Sequence, residues 1–509
     1  MNEVIAIYDV RVIQSYIFRT NALKEIVGAS KIVENLIIQE FNNAITNYIE
    51  NGELNNDEVI LNWKNQNEFH FDKNHNIKIE VLYYGGGNLV VLFRTEELCK
   101  KISTLMSKNI MQNAYGLSLV YAYVDKTENY NEDWSALKTK LSEIKAVTPL
   151  NKPAGILPIV QYDALTGKPL SKTYNKKKVT YEAYQKLKKY EEVQNENSIY
   201  IKEFDKMRTS NEEGLIAVVH IDGNSMGMNI RNIMKEANSY DEAVKRMRKI
   251  SNDIHEAFEV KAIKDVEEKI LQFCRKHEIK VKQNQIPFRP LIQAGDDITF
   301  VCNERIALDI AEEYIKSIRK RYMYNENYTF SACAGIAIIH THYPFYKGYA
   351  IAEECCKSAK ERAKNEGKID DKIGNFIDFE YCYSINTMDL NESRINNYTS
   401  IEGNYLLKRP YGIYEENEKL NDIQKEFDIN AFKDNLKRIK GISRSVAKSF
   451  RDNYYETEAL IDTALLRHGK KNNIKYKSAF KTINQKKYAE YFDSLEMLDI
   501  FGIKEENHE

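Results

Sequence analysis

The feature that most constrains the fold is one order of elements that occurs twice: strand, helix, hairpin, helix, strand. In the first copy, segments rich in β-branched and aromatic residues predict strands, and a long apolar-periodic segment near 14–49 predicts the first helix. The predicted strands of this copy cover residues 4–10, 77–84, 88–93 and 117–124. A repeated βαββαβ unit indicates an internal duplication and predicts an α+β fold with two ferredoxin-like domains.

The second copy has the same order. Its predicted strands cover residues 215–222, 290–294, 298–302 and 328–339, with helices over 226–279, 304–321 and 350–365 and an edge strand at 375–382. Between the copies, a turn-rich stretch and a lysine-rich helix predict a linker subdomain, and beyond about residue 400 only helical periodicity persists. The predicted domains are therefore 1–125, 126–213, 214–395 and an α-helical 396–509.

Bulk composition excludes several classes of protein. The 509 residues carry a net charge of only -1, so global charge gives no argument for nucleic-acid binding. No signal peptide and no long apolar run occur, and we expect a cytoplasmic protein without membrane contact. The seven cysteines are odd in number and form no CxxC pair, so reduced thiols and no structural zinc are expected.

Two short motifs carry the chemistry: HIDGNSMG at 220–227 and QAGDDITFV at 293–301. In a βαββαβ sheet the first strand lies beside the hairpin of the second and third, so Asp222 is brought against Asp296 and Asp297. Clustered carboxylates repel each other unless they are neutralised, and their hard oxygens suit Mg²⁺ or Mn²⁺. Two such ions can activate a ribose hydroxyl and stabilise departing pyrophosphate, which predicts nucleotidyl transfer.

Each motif alone is most often an ordinary β-turn. Their occurrence at the ends of adjacent strands in one unit favours the metal site. The segment between the first strand and the next helix can cradle a triphosphate with its backbone N–H groups and the helix N-terminus. The candidate residues of this segment are Gly223, Asn224, Ser225 and Gly227.

The residues also resemble a known family. The segments IDGNSMG, AGDDITFV, SACAGIAIIHTHYPF and AEECCKSAKERAK resemble the second palm domain of the large signalling subunit of type III CRISPR effector complexes, and more distantly the GGDEF diguanylate cyclases. The start, IYDVRVIQSYIFRTNALKEIVGASKIVENL, and YYGGGNLVVLF resemble that family's first palm domain.

The resemblance implies synthesis of cyclic oligonucleotides, usually cyclic oligoadenylates made from ATP, as messengers in antiviral defence. It implies RNA or CRISPR effector subunits as triggers and a downstream effector that senses the cyclic nucleotide. Asp222 and Asp296 would be metal ligands, Asp297 a ligand or a base near the 3′-hydroxyl, and the Ile221 carbonyl a further ligand. Lys360 would face the triphosphate, with Lys364 as the competing candidate.

The sequence departs from the family pattern at several points. Ala294 replaces the first glycine of Gly-Gly-Asp-Asp, which is tolerable if Ala294 is still in the strand. In the first palm, Asp9 is present but 85–88 reads Gly-Gly-Gly-Asn, so we expect an acceptor nucleotide there and no catalysis. Its candidate contacts are Gly86, Gly87, Asn88 and Ser30. No histidine-aspartate nuclease motif precedes the first strand, so a compact relative is expected.

Other interpretations stay open. The palms could hold nucleotide or RNA as a non-catalytic scaffold or sensor, or belong to a template-dependent polymerase. Seven lysines at 172–189, and Arg444, Lys448 and Arg451 at helical spacing, could contact RNA phosphates or form solvated faces. The segment His340-Thr-His342 could ligate a metal, although a loop entry accounts for it as well.

Overall fold

The structure is a computed structural model. It describes residues 2–20, 22–64, 68–148, 158–195, 199–201, 206–207, 214–281, 285–365, 368, 373–383 and 389–502. None of the described helices is long and apolar enough to cross a membrane. All seven cysteines are buried free thiols.

The first palm is built on a five-stranded sheet. Its strands are β1 (Val4–Arg11), β2 (Val59–Ile60), β3 (Ile79–Gly85), β4 (Asn88–Phe93) and β5 (Ser118–Asp125), in the order β2-β3-β4-β1-β5. The predicted ferredoxin-like topology is confirmed, with β1 between β4 and β5. Its helices are α1 (Ile13–Phe18), α2 (Leu23–Val33), α3 (Leu36–Glu50) and α4 (Glu96–Asn113).

The single long helix predicted near 14–49 is wrong, because three helices occupy that segment. The residues before α1 and α3, Val12 and Asn35, adopt left-handed φ angles of 61° and 58°. A left-handed residue cannot continue a right-handed helix, so the chain changes direction at each of them. The apolar spacing showed the buried face but not these turns.

The middle segment is more structured than predicted. It contains α5 (Tyr130–Val147), the hairpin β6 (Leu170–Tyr174) and β7 (Lys177–Thr180), and α6 (Tyr181–Asn195). Helix α6 packs so closely on α2 that a Cβ on Gly28 would lie 1.9 Å from the Lys186 carbonyl oxygen. Gly28 therefore serves the close packing of α2 against α6.

The second palm repeats the topology. Its elements are β8 (Leu215–Gly223), α7 (Met226–Lys235), α8 (Tyr240–Ile254), a π-helical segment (His255–Lys261), α9 (Ala262–Lys276), β9 (Phe288–Ala294), β10 (Asp297–Cys302), a 3₁₀ turn (Glu304–Ile306), α10 (Ala307–Arg319), β11 (Ala332–His340), α11 (Phe345–Asn365), β12 (Phe376–Tyr381) and β13 (Tyr411–Gly412). The sheet order is β13-β12-β11-β8-β10-β9. The segment predicted as an edge strand is β12, which lies inside the sheet because β13 pairs with its outer side.

The C-terminal part is mainly helical. It comprises α12 (Leu390–Asn397), α13 (Asp422–Glu426), α14 (Ile429–Ile439), α15 (Arg444–Tyr455), α16 (Glu458–Asn472), β14 (Phe480–Ile483), β15 (Lys486–Ala489), α17 (Phe492–Glu496) and α18 (Leu498–Phe501). The expectation that no strand follows residue 400 is wrong. The hairpin β14–β15 turns at Asn484 and Gln485, both with positive φ, which suits a two-residue hairpin turn, and its four-residue strands are too short for a periodic pattern.

The two palms are joined by buried polar contacts. Arg248 of α8 is fully buried and donates to the Leu82 carbonyl at 2.9 Å, the Val81 carbonyl at 2.9 Å and Glu80 Oε1 at 2.8 Å, all on β3 of the first palm. The Ser251 hydroxyl donates to the Tyr84 carbonyl at 2.6 Å. These contacts fix one palm against the other because each satisfies a buried group of the opposite domain.

Replacing Arg248 by Met should lower the free energy of unfolding by about 3 kcal/mol or more, because the buried Glu80 carboxylate then loses its cation. The matched control is Lys249→Met on the same helix, whose half-exposed ion pair with Asp253 should contribute about 0.5 kcal/mol or less. Urea unfolding followed by circular dichroism measures both. Equal midpoints for the two variants would contradict the assigned role of Arg248.

Candidate functional site

The site forms where β8, β10 and the β9–β10 turn meet. The register places Asp222 of β8 directly opposite Asp297 of β10. Asp296 lies in the turn, and the Gly223 N–H donates to the Asp296 carbonyl at 3.3 Å. Ala294 is the last residue of β9, so its methyl group belongs to the strand and does not obstruct the turn. The predicted convergence of the three carboxylates is what the sheet geometry produces.

The electrostatics show that this convergence is costly without a ligand. Burial, together with the neighbouring charge of Asp222, raises the pKa of Asp296 to about 6. Burial and the charges of Asp222 and Asp296 raise the pKa of Asp297 to about 7. Two carboxyl groups with pKa values this far above the usual range are held against their own repulsion, which a bound cation would relieve.

Lys360 is the cation nearest to this cluster. It projects from α11, and its Nζ lies 2.5 Å from Asp222 Oδ2 and donates to the Gly223 carbonyl at 2.8 Å. Lys364 lies one helical turn further along and is exposed. Of the two lysines considered from the sequence, only Lys360 is joined to the carboxylates by a described contact.

His220 belongs to the same cluster and was missed as a candidate. Its Nδ1 lies 3.2 Å from Thr299 Oγ1 and 3.4 Å from Asp297 Oδ1. Burial lowers the pKa of His220 to about 4, so the ring is neutral at neutral pH. The signal was in the motif: His220 and Asp222 are two residues apart on a strand and therefore point to the same face.

The strand-to-helix junction matches the predicted phosphate cradle only in part. The N–H of Gly223 is used by Asp296 and that of Asn224 by the Ser331 carbonyl at 2.8 Å. The Asn224 side chain is buried and donates to the Gly374 carbonyl at 3.0 Å, so it braces the junction. Ser225 precedes α7 with a φ of 56°, and Gly227 is exposed in its first turn, where helix N–H groups have no intrahelical acceptor.

The residues present fit divalent metal ions. Asp297 Oδ1 is buried and has no hydrogen-bond partner within the described chain. Among the described residues, no group of three or more His, Cys, Asp or Glu side chains is arranged so that it could hold a metal ion by itself. Mg²⁺ does not need such a group, since proteins bind it through one or two carboxylates together with water and substrate phosphates. Ile221 is fully buried on β8 beside Asp222.

The first palm has the same geometry with different chemistry. Asp9 stands opposite Asn88 in the register that places Asp222 opposite Asp297. The Lys145 ammonium is paired with Asp9, and the Asn88 amide donates to the Gly86 carbonyl at 2.8 Å. The single carboxylate is therefore already neutralised by a lysine, whereas the second palm keeps a carboxylate cluster.

A cavity of about 590 Å³ lies between the palms. It is lined by the first palm's glycine turn and Asn88, by Trp63 and Trp134, and by the turn that carries Asp296. Ser30 also lines it, but its hydroxyl donates to the Leu291 carbonyl at 2.5 Å across the interface. The palms approach each other closely here: a Cβ on Gly295 would lie only 3.0 Å from Gly86 Cα.

The remaining sequence candidates lie elsewhere. Among the lysines of 172–189, Lys186 is buried and paired with Glu182, so it does not belong to a basic surface. Arg444 and Arg451 lie on α15, where Arg444 Nε is 3.3 Å from Asp499 and Arg451 Nη1 donates to the Tyr383 hydroxyl at 3.4 Å. In the segment His340-Thr-His342, β11 ends at His340, and Thr341 and His342 begin the loop that follows, which agrees with the interpretation as a loop entry.

Two ferredoxin-like palms that face each other across a cavity, with carboxylates on one of them, define a tandem-palm protein. Within that class, residues 215–368 match the family model of the Cas10/Cmr2 second palm domain. This part of the chain is thus similar to a second palm domain of the Cas10/Cmr2 type. A search of curated proteins finds no match.

Solved structures of Csm1–Csm4 cassettes share the fold. One in complex with cA4 is 11% identical, with a TM-score of 0.52 over 89% of this chain and 62% of that chain. One in complex with pppApApA is 10% identical, with a TM-score of 0.54 over 99% and 70%. One in complex with AMPPNP is 10% identical, with a TM-score of 0.51 over 89% and 63%. The chain spans about three fifths of the length of the first of these relatives.

Replacing Lys360 by Met should weaken binding of an ATP analogue about tenfold, because the ammonium is the described cation beside Asp222 and a buried charge-assisted contact is worth about 1.5 kcal/mol or more. Lys364→Met, the control on the same helix, should bind like the wild type. Isothermal titration calorimetry at fixed Mg²⁺ measures both. A larger loss in Lys364→Met would transfer the role to Lys364.

Proposed function

We propose that the protein is a nucleotidyltransferase that joins nucleoside triphosphates, with ATP as the expected substrate, into a cyclic nucleotide or cyclic oligonucleotide messenger. The observation that carries the proposal is the opposition of Asp222 and Asp297 beside Asp296, because Asp296 lines a cavity that reaches the other palm. A site that only held the fold together would have no physical reason to keep carboxylates whose pKa values are raised by burial and by the charges of their neighbours.

In this proposal, two nucleotides face each other in the cavity between the palms. The donor triphosphate lies at the second palm, where Lys360 and the first turn of α7 are available to the phosphates. The acceptor lies at the first palm, where Gly86 and Gly87 admit close approach of a ligand to the backbone. Trp63 and Trp134 line the same cavity and suit stacking of a base.

The proposed reaction is attack of the 3′-hydroxyl, or the 2′-hydroxyl, of one nucleotide on the α-phosphorus of the next. A bond forms between the hydroxyl oxygen and the α-phosphorus. The bond from that phosphorus to the oxygen that bridges the α- and β-phosphates breaks, and pyrophosphate leaves. Asp297 is either a ligand of the metal ions or the base that accepts the hydroxyl proton. Two facing palms hold the reacting groups together, which removes much of the entropic barrier.

Asp222, Asp296, Asp297 and the Ile221 carbonyl would hold two Mg²⁺ or Mn²⁺ ions. Bound there, the ions supply charge stabilisation for the leaving pyrophosphate and acidify the attacking hydroxyl. Lys360 neutralises Asp222 in the present structure, and His220, neutral at this pH, adds no charge beside Asp297. The first palm has no comparable carboxylate cluster, so we assign it binding and not turnover.

The proposal extends to partners. The solved relatives are Csm1–Csm4 cassettes with cA4, pppApApA or AMPPNP, and these support adenine nucleotides as substrates and CRISPR effector subunits as neighbours. Synthesis would then be triggered by RNA or by such subunits, and a separate effector would sense the cyclic product. The function would be a signalling step in antiviral defence, carried out in the cytoplasm.

The double variant Asp296→Asn with Asp297→Asn should abolish pyrophosphate release, because both side chains keep their shape but lose charge. Purified protein is incubated with each of the four nucleoside triphosphates and Mg²⁺ or Mn²⁺, and products are analysed by mass spectrometry. The control is Glu256→Gln, a partly exposed carboxylate on the π-helical segment.

A cyclic product that the double variant does not make would establish the synthase and identify its base. Turnover that survives in the double variant would refute the assignment of the site. If the wild type binds a triphosphate but releases no pyrophosphate even with RNA added, the non-catalytic sensor replaces the enzyme as the function.

A further inference from the structure

A π-helical segment, His255–Lys261, interrupts the helix between α8 and α9, and the proposed chemistry does not use it. Such segments are rare and occur often at functional sites, because the widened turn re-aims side chains. The Tyr314 hydroxyl donates to the Phe258 carbonyl at 2.6 Å, which satisfies one backbone group of the segment. Two of its side chains, His255 and Glu259, line the cavity between the palms.

Glu259 connects this segment to the candidate catalytic turn. Its Oε1 accepts the Gly295 N–H at 2.8 Å, and Gly295 immediately precedes Asp296. Its Oε2 lies 3.1 Å from His255 Nδ1. One carboxylate therefore holds the backbone of the turn and the imidazole ring at the same time.

The contact with Glu259 also determines what His255 offers to a ligand. A carboxylate accepts only, so the neutral ring places its proton on Nδ1 and leaves Nε2 as an acceptor. Within the described chain, His255 Nε2 has no hydrogen-bond partner. The ring therefore presents an unused acceptor at the wall of the cavity.

The surroundings favour the nucleoside half of a nucleotide over its phosphates. Charged side chains of both signs line the cavity: Glu34, Glu259 and Asp296, and Lys64 and Lys138. The one in contact with the His255 ring is the Glu259 carboxylate, which would repel a phosphate placed against that ring. The wall next to His255 is apolar, with Ile250 and Ile254 on the same helix, and such a surface suits a base or a ribose.

We propose that His255 is a nucleotide-binding residue whose Nε2 accepts a hydrogen bond from the nucleoside half of a nucleotide in the cavity between the palms. The donor is an exocyclic amino group of the base or a ribose hydroxyl. Glu259 is the positioning residue that fixes the tautomer of His255 and the backbone of the Asp296 turn. This inference rests on the proposed function, because it requires a nucleotide in the cavity.

The first test compares ligands on the wild type and on His255→Ala at pH 8.5, where an ordinary imidazole is neutral. The ligands are α,β-methylene analogues, which cannot release pyrophosphate, of ATP, of purine riboside triphosphate without the 6-amino group, and of 2′-deoxy- and 3′-deoxy-ATP. Calorimetry gives Kd for each pair. His255→Ala should weaken the ATP analogue about tenfold, the magnitude for one lost hydrogen bond.

The ligand that lacks the donor group should bind the wild type about as weakly as the ATP analogue binds His255→Ala. Its affinity should not fall further in His255→Ala. A null effect with purine riboside triphosphate identifies the amino group, and a null effect with a deoxy analogue identifies the ribose. Equal weakening of all four ligands, or no weakening of any, would overturn the inference.

The second test uses Glu259→Gln. The glutamine oxygen can still accept the Gly295 N–H, while its amide nitrogen donates to His255 Nδ1 and moves the ring proton to Nε2. The acceptor then becomes a donor, so affinity for the ATP analogue should fall about tenfold. If the ligand group is the amino group, Glu259→Gln should shift the preference from the α,β-methylene analogue of ATP towards that of ITP, whose base carries an oxo group at position 6. Unchanged ATP affinity in Glu259→Gln would overturn the role of Glu259.

Glu256→Gln is the matched control, since Glu256 lies on the same segment, and it should bind like the wild type. Circular dichroism and thermal melting confirm that each variant is folded. A wild type that binds no triphosphate would refute the proposed function together with this inference. A wild type that forms product while His255→Ala binds every ligand equally well would refute this inference alone.

Discussion

The close approach of two glycine turns across the interface between the palms sets the geometry of everything around it. Gly86 and Gly295 both have positive φ, and a Cβ on Gly295 would come within 3.0 Å of the Gly86 Cα. Any larger residue at position 295 would combine backbone strain with a contact that forces the Gly86 backbone to shift by a few tenths of an ångström. Because the turns lie this close, the ends of both hairpins face one cavity, which is where the proposal places its two nucleotides.

The two palms share one topology but differ in the charge at the corresponding strand ends. The two hairpins keep the same register, with Asp9 opposite Asn88 and Asp222 opposite Asp297. In the first palm the remaining carboxylate is paired with Lys145, so its charge is balanced within the protein. In the second palm Lys360 is paired with Asp222, while burial and the neighbouring carboxylates raise the pKa values of Asp296 and Asp297. This difference in charge is why the proposal places metal ions at the second palm and not at the first.

The sequence predicted the topology because strand patterns and turn motifs are local, and the βαββαβ order leaves one sheet arrangement in which the two aspartate turns meet. Side-chain partners that depend on tertiary packing could not be predicted. The Asn224 amide donates to the Gly374 carbonyl. Ser30 lines the cavity, and its hydroxyl donates across the interface to the Leu291 carbonyl. The pairing of Lys145 with Asp9 depends on α5, a helix that the sequence did not predict.

The C-terminal part is tied to the same site through charge buried on β12. Arg394 pairs with Asp378 at 2.7 Å, and Arg409 is buried between Glu380 of β12 at 3.1 Å and Glu496 of α17 at 2.6 Å. Breaking a buried pair leaves an uncompensated charge, so the two parts cannot separate without a large cost. The loop that leads into β12 carries the Gly374 carbonyl that holds Asn224, two residues from Asp222. The position of the C-terminal helices is thereby linked to the strand end that bears the candidate metal ligand.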